Sequence, residues 1–289
     1  MSKQKIVFIV NPNSGTDRTK ASFLKNLDAF RSYSPFDVLL EYTARAGHAK
    51  EIVNGHLQNG IGHFVAVGGD GTVNEVASQL LEKDAVLYII PKGSGNGLAR
   101  HLKIPMEEAA ALRRIAGARV REIDCGFING IPFLCTSGIG FDAYSAALFS
   151  GSKKRGFMSY VLTGLTGYWK YQPVKLVFQD RSAQIFSLTF ANADQFGNNA
   201  LIAPKATIDD GFLDCMLINP HPSVAALGLI RSMFKGNLDQ SGYTEYYRAK
   251  EFKVETERAP LIHFDGEPFQ LEVNHIEVTI KEKVLKVGI

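Results

Sequence analysis

The sequence predicts an α/β domain followed by an all-β domain. Three observations carry this reading. Over the first 120 residues, short β-branched runs alternate with helical stripes, the order that builds a mostly parallel sheet covered by helices on both faces. From about Glu122 onward, strands separated by turn residues dominate, as in an antiparallel sandwich or barrel. The chain has 289 residues, a length at which one hydrophobic core usually gives way to two (~250–300 residues).

The elements follow in order. KIVFIV (5–10) is a short apolar run suited to a strand covered on both faces, and it ends at the turn signal Asn11-Pro12. Within 16–32, Phe23, Leu24, Leu27 and Phe30 recur at three- and four-residue steps, which predicts a helix. FDVLLEY (36–42) reads as a strand, AGHAKEIVNGHL (46–57) as a helix and HFVAV (63–67) as a strand. TVNEVASQLL (72–81) is the next helix and VLYII (86–90) the next strand. EEAAALRRIAG (107–117) is a helix stopped by a glycine. The second half predicts strands over 130–139, 174–179, 184–193, 212–218, 252–257 and 269–280, with helices over 141–150, 157–169 and 222–235. No repeat or low-complexity linker appears, so two tightly packed domains are expected, with a substrate pocket between them.

Three polar, glycine-bearing turns follow successive strands: NPNSG (11–15), VGGDGTVN (67–74) and PKGSGNGLA (91–99). In an open α/β sheet, ligands bind beyond the carboxyl ends of the strands, where these turns fall. Gly68, Gly69 and Gly71 allow close backbone approach, and Thr72 and Asn74 open a helix whose amides favour an anion. Asp70 has the wrong sign for a phosphate unless a divalent cation lies between them, which is the physical reason to expect Mg²⁺. Ser94 offers a hydroxyl and Asn96 an amide. A tight strand–helix turn with an exposed acid is the plain alternative for one such turn, and a weaker one for three together.

Other chemistries lack their signatures. There is no G-x-x-x-x-G-K-[ST], and GSGNGL (93–98) breaks G-x-G-x-x-G at Leu98. No zinc spacing and no G-x-S-x-G elbow occur. The net charge of +3 and the absence of a basic, aromatic-interleaved stripe give no reason to expect nucleic acid. The three cysteines make no C-x-x-C pair and are expected reduced and buried. No apolar run has the ~20 residues of a membrane span or the pattern of a signal peptide. A cytoplasmic protein with at most peripheral membrane contact is expected.

VGGDGTVNEV followed by PKGSGNGLAR resembles the diacylglycerol kinase catalytic-domain superfamily, which includes bacterial soluble lipid kinases and sphingosine and ceramide kinases. NPNSG, Thr43 with GHA (47–49), ATIDDGFLD (206–214) and FDGEP (264–268) extend the resemblance over nearly the whole chain. It implies a Rossmann-like, NAD-kinase-like nucleotide domain over 1–122, joined by 283–289, and a β-sandwich lipid-substrate domain over 123–282, with ATP and lipid meeting in the cleft. By motif position, ATP would contact Asn11, Pro12, Asn13, Ser14, Gly15, Thr43, Gly68, Gly69, Asp70, Gly71, Thr72, Val73, Asn74 and Ser94. Glu267 matches the proton acceptor, with Asp265 beside it. Asp210, with the carbonyls of Thr207 and Phe212, matches a structural Mg²⁺ site. Asp142 falls where sphingosine kinases touch the lipid head group.

Each of these has a plainer reading. FDGEP reads as a hairpin turn through Asp-Gly, DDG as a turn, and Asp142 as a helix N-terminal acid. SKKRGFMSY (152–160) could meet an anionic membrane or be a solvated loop. An ATP-dependent lipid kinase is the expected function, active on a lipid at the membrane surface in phospholipid metabolism. A kinase for a soluble substrate such as NAD and a non-catalytic nucleotide-binding protein are the alternatives. Which lipid is used, whether the chain forms a homodimer, and which carboxylate takes the proton all stay open at this level.

Overall fold

In the computed structural model, which describes residues 3–15, 20–150, 164 and 167–289, the chain divides into two units, Met1–Ile123 with Lys283–Ile289, and Asp124–Glu282. The expected basic loop 152–160 and most of the expected helix 157–169 lie outside the described residues.

The first unit is an α/β layer structure. Its strands are β1 (Gln4–Val10), β2 (Phe36–Tyr42), β3 (His63–Gly68) and β4 (Val86–Pro91), ordered β2-β1-β3-β4 and all parallel. Ile6 to Val10, Phe64 to Val67 and Leu87 to Ile90 are buried, as apolar runs covered on both faces must be. The helices are α1 (Lys20–Tyr33), α2 (His48–Gln58), α3 (Asp70–Leu80), α4 (Gly97–His101) and α5 (Glu108–Ala116). Phe23, Leu27 and Phe30 turn inward from α1, whereas Leu24 of the same expected stripe is exposed. Glu107 caps α5, accepting N–H bonds from Ala109 and Ala110, a carboxylate in the role usually taken by serine or aspartate. The chain runs from β1 outward to β2, then crosses back to β3 on the other side of β1. That reversal creates a switch point between the carboxyl ends of β1 and β3.

The chain's last residues complete this sheet. The end of β16 (His275–Gly288) pairs in parallel with β4, Lys286 opposite Val86 and Val287 opposite Leu87. Ile289 and Arg119 exchange backbone hydrogen bonds of 2.8 and 2.9 Å. Leu285 and Val287 are fully buried.

The second unit is an antiparallel β-sandwich. One sheet has the order β12-β11-β10-β7-β14-β15, from β7 (Thr136–Gly140), β10 (Ser187–Ala191), β11 (Leu213–Ile218), β12 (Thr244–Ala249), β14 (Leu261–Phe264) and β15 (Glu267–Gln270). The other contains β8 (Val174–Phe178), β9 (Arg181–Ile185), β13 (Glu251–Thr256) and the start of β16, with β5 (Val120–Ile128) and β6 (Ile131–Phe133) at its side. Ile139, Leu188, Phe190 and Ile262 from one sheet and Phe178, Phe252, Val254 and Val278 from the other form a shared core. The described helices here include α6 (Phe141–Ser150) and α7 (Ser223–Lys235).

Three expected strands divide. GIPFLCTSGI breaks at Leu134 and Cys135, so that β6 and β7 join different sheets. QIFSLTFANA breaks at Phe186, so that β9 and β10 join opposite sheets; Phe186 bonds through its backbone to both Ile218 and Phe141, the corner by which a chain changes sheet. FQLEVNHIEVTI breaks between Gln270 and His275. β5 and β12 carry no strand expectation from the sequence; β12 is mostly half-exposed, so its period is weak.

Candidate active site

The three glycine turns of the first unit touch one another. A Cβ on Gly93 would lie 2.6 Å from the Cα of Gly69, and one on Gly15 would lie 2.5 Å from the carbonyl oxygen of Lys92. No side chain fits at these contacts, which is why glycine stands there. Asn11 holds the first turn by accepting the Asn13 N–H at 3.0 Å, and its amide donates to Thr72 Oγ1 at 3.2 Å. Thr43 follows β2 and donates its N–H to Val10. The turns thus meet at the carboxyl ends of β1, β3 and β4, beside the switch point.

Asp70 joins two of these turns. Its Oδ2 accepts the Asn96 N–H at 2.9 Å and its Oδ1 the Gly97 N–H at 2.8 Å. The acid expected to face metal therefore also caps the N-terminus of α4. These two bonds fix the direction in which the carboxylate faces. Glu75, one and a half turns further along α3, does the same for α2, accepting N–H bonds from Gly47 and Ala49. The sequence reading gave Glu75 no role. A signal existed in its position one helical turn and a residue beyond Asp70, but its partners lie 28 and 26 residues away.

Asn96 is buried, in the left-handed conformation (φ 53°), with its Oδ1 accepting the Gly93 N–H and its Nδ2 donating to the Gly93 carbonyl. Its side chain shapes the second turn instead of standing out as a donor. Ser94 is exposed, and Thr72, Val73 and Asn74 are buried in the first turns of α3. Gly69, at the N-cap of α3, supplies no side chain to its first amides. Those donors and the helix dipole favour an anion there. Lys92, in the second turn, pairs with Glu108 at 2.5 Å and lies over the Phe23 ring.

In the second unit, Asp265 and Gly266 are the two turn residues of the β14–β15 hairpin, with φ of 48° and 84°, as a type I′ turn requires. The plain turn reading of FDGEP is therefore correct as geometry. The Asp265 carboxylate accepts N–H bonds from Leu134 (2.8 Å), Cys135 (2.7 Å) and Thr136 (3.2 Å). It fastens the hairpin to the start of β7. Glu267 opens β15 and is exposed. Beneath lies a buried polar knot. Asp142 Oδ2 accepts the Thr189 hydroxyl at 2.7 Å and meets His263 Nε2 at 3.1 Å. Asp142 is 7% exposed, in the first turn of α6. Its oxygens serve this internal network, and its place in the first turn of α6 matches the helix N-terminal reading. The sequence reading assigned no histidine a part, yet His263 joins Asp142 to the strand that leads into the hairpin. Ser145 Oγ, Tyr171 Oη and His263 Nδ1 are buried without a hydrogen-bond partner among the described residues. Near the knot, a cavity of about 330 Å³ is lined by Ile139, Gly140, Tyr144, Tyr171, Val174 and Leu261 among others.

The Asp210 loop carries its own cation. Asp210 Oδ2 pairs with Arg248 at 2.5 Å and Oδ1 accepts the Phe212 N–H at 3.1 Å. Arg248 also lies over the Phe212 ring at 4.5 Å. Thr207 is exposed. The guanidinium offsets the Asp210 charge in the loop to which the resemblance assigns a Mg²⁺ on Thr207, Asp210 and Phe212. Among the described residues, no cluster of three His, Cys, Asp or Glu side chains could hold a metal ion. Burial pushes the Cys125 and Cys215 thiols up, so neither is a thiolate nucleophile near neutral pH.

Comparison with known proteins gives a consistent result. Residues 5–128 match the diacylglycerol kinase catalytic domain, and residues 136–287 match the YegS C-terminal NAD kinase beta sandwich-like domain. A probable lipid kinase YegS-like from Pseudomonas aeruginosa is 31% identical, over 99% of this chain and 95% of the relative. One of the same name from Chromohalobacter salexigens is 32% identical, over 78% of this chain and 76% of the relative. A crystal structure described as a diacylglycerol kinase from Bacillus anthracis shares the fold, with a TM-score of 0.72 at 22% identity over 98% of this chain and 96% of that one.

Proposed function

The chain belongs to the family of YegS-like lipid kinases with a diacylglycerol kinase catalytic domain, and we propose that it transfers the γ-phosphoryl group of Mg-ATP to a lipid hydroxyl. The observation that carries this reading is the convergence of three glycine turns at the switch point of the first unit's sheet. Backbone N–H groups there suit the oxygens of a polyphosphate. Asp70, oriented by two amide bonds, is the carboxylate that would hold Mg²⁺ there. The metal, when bound, offsets phosphate charge.

The chemistry needs one proton acceptor. As the lipid oxygen forms its bond to the γ-phosphorus, the bond from that phosphorus to the β–γ bridging oxygen breaks and the hydroxyl proton leaves. Glu267 takes this role in the proposal. Asp265 is committed to three backbone N–H groups, whereas Glu267 starts a strand beside it and is exposed to solvent. Asp265 then fixes the hairpin from which Glu267 projects, and the Asp142–His263–Thr189 knot stiffens the strand beneath it. Diacylglycerol and sphingoid-type lipids both present a suitable hydroxyl. Ile139, Tyr144, Val174 and Leu261 in the cavity of the second unit would suit the acyl chain of a lipid acceptor, beside the charged Lys175, Glu257 and Arg258. A place in phospholipid metabolism follows from that acceptor.

The test is direct. Incubation with γ-labelled ATP, Mg²⁺ and a mixed lipid extract, followed by partition between chloroform and water, should place label in the organic phase. Label confined to a water-soluble product would refute the lipid acceptor, and ATP binding without any transfer would refute catalysis.

A further inference from the structure

Helix α7 has an exposed face that its sequence keeps free of acid. SVAALGLIRSMFK contains no Asp or Glu. Leu229 is buried and Met233 packs against the same small core. On the opposite side Val224 is 87% and Leu227 74% exposed. At 100° per residue, Val224, Leu227, Gly228, Arg231 and Lys235 fall within one stripe about 100° wide. Arg231 and Lys235 make no ion pair among the described residues. A pair of large aliphatic side chains so far out of the core, backed only by cations, is not the usual makeup of a solvated helix face.

Another large apolar side chain of this unit is exposed. Trp169, the chain's only tryptophan, is 74% exposed. It adjoins Tyr168, whose ring meets His221 at 6.0 Å, two residues before α7. From His221 an aromatic series leads inward. Phe186 lies 4.7 Å from His221 and 5.3 Å from Tyr171, and Phe141 stacks on Phe186 at 4.7 Å. Tyr171 lines the second unit's cavity. An aromatic series thus runs from the segment just before α7 to Tyr171 at the cavity, within the same unit.

We infer that the α7 face, with Trp169, docks on an anionic lipid bilayer. The inference rests on the lipid-kinase reading for its purpose but on charge and composition for its occupant. Exposed aliphatic side chains flanked by arginine, lysine and an interfacial tryptophan are what a peripheral helix presents to acidic head groups. A two-fold contact centred near Arg231 would set like charges together, whereas an anionic bilayer offers both cations a counter-charge.

Vesicle co-sedimentation of the full chain, without ATP, tests the inference independently of catalysis. Vesicles of phosphatidylcholine alone are compared with phosphatidylcholine containing a quarter phosphatidylglycerol. The wild-type chain should bind the anionic vesicles and lose that binding in high salt. Val224→Asp with Leu227→Asp should weaken binding at least tenfold, and Arg231→Glu with Lys235→Glu by more than the ~5-fold per lost basic side chain, with circular dichroism and ATP affinity unchanged. A wild-type chain that ignores both vesicles, or variants that bind like wild type, would overturn the inference. So would a wild-type dimer in sedimentation that Val224→Asp with Leu227→Asp converts to monomer. If vesicle binding behaves as expected while no lipid is phosphorylated, the docking surface stands and the kinase reading falls.

Discussion

Asp214 is the second residue of β11, 1% exposed, and neither of its carboxylate oxygens has a hydrogen-bond partner among the described residues. Burial raises its pKa from 3.8 to about 6, against the opposing pull of Arg248. The fold therefore prefers the protonated acid. Below pH 4 both folded and unfolded chains carry the proton and nothing is lost. As pH rises towards 6 the unfolded chain ionises first, and the fold's relative stability falls. Above pH 6 the loss is complete. A difference of about two pH units corresponds to about 3 kcal/mol at pH 7.5 and about 1 kcal/mol at pH 4.5. Asp214→Asn removes the charge at nearly constant shape. It should stabilise the second unit by an amount of this order at pH 7.5 and by about 2 kcal/mol less at pH 4.5. Urea unfolding followed by circular dichroism at the two pH values measures the difference. Equal effects at both, or destabilisation at pH 7.5 with none at pH 4.5, would show that the folded chain stabilises the carboxylate and would refute the reasoning.

Three further outcomes are expected. Glu267→Gln should lower kcat by on the order of 10²-fold or more with thermal stability unchanged, while Asp265→Asn should also lower Tm, because one of its amide partners would face an NH₂ group at a cost of about 1–3 kcal/mol; equal Tm losses in the two would erase the division of roles. Asp70→Asn should weaken ATP affinity by calorimetry and reduce turnover by about 10²-fold, and normal values for both would remove Asp70 from the site. EDTA should leave the Tm of the nucleotide-free protein unchanged, whereas Arg248→Met should lower it and added Mg²⁺ should restore part of the loss; a drop of several degrees in wild-type protein with EDTA would put a resident cation on Asp210.

Much of this was legible in the sequence wherever the interaction is local. Parallel strands such as FIV and VAVG read as strands because burial on both faces demands unbroken apolar runs. Asp-Gly in FDGEP announced its own turn. What a linear reading missed depends on distance along the chain. The partners of Asp70 lie 26 and 27 residues on, and Asp265 meets amides 129 to 131 residues back. His263 looked like one of seven scattered histidines because its partner, Asp142, is 121 residues away. Arg248 gave no hint that it would neutralise Asp210, since the pairing arises only when β11 and β12 align. Phe186 hid a corner inside what reads as one strand, because period-two alternation does not record which sheet a residue joins.

The return of Lys283–Ile289 to the first unit has a consequence for synthesis. While the ribosome makes Asp124–Glu282, the Val86–Pro91 strand has no neighbour on the side that Lys286 and Val287 later fill. At ~5–20 residues per second, that edge waits on the order of 10–30 s in the nascent chain. An unpaired, apolar strand edge is a template for wrong partners. The N-terminal half is thus a late finisher despite being made first, and the nascent chain's exposure to chaperones or to aggregation is set by the length of the domain inserted between its two pieces.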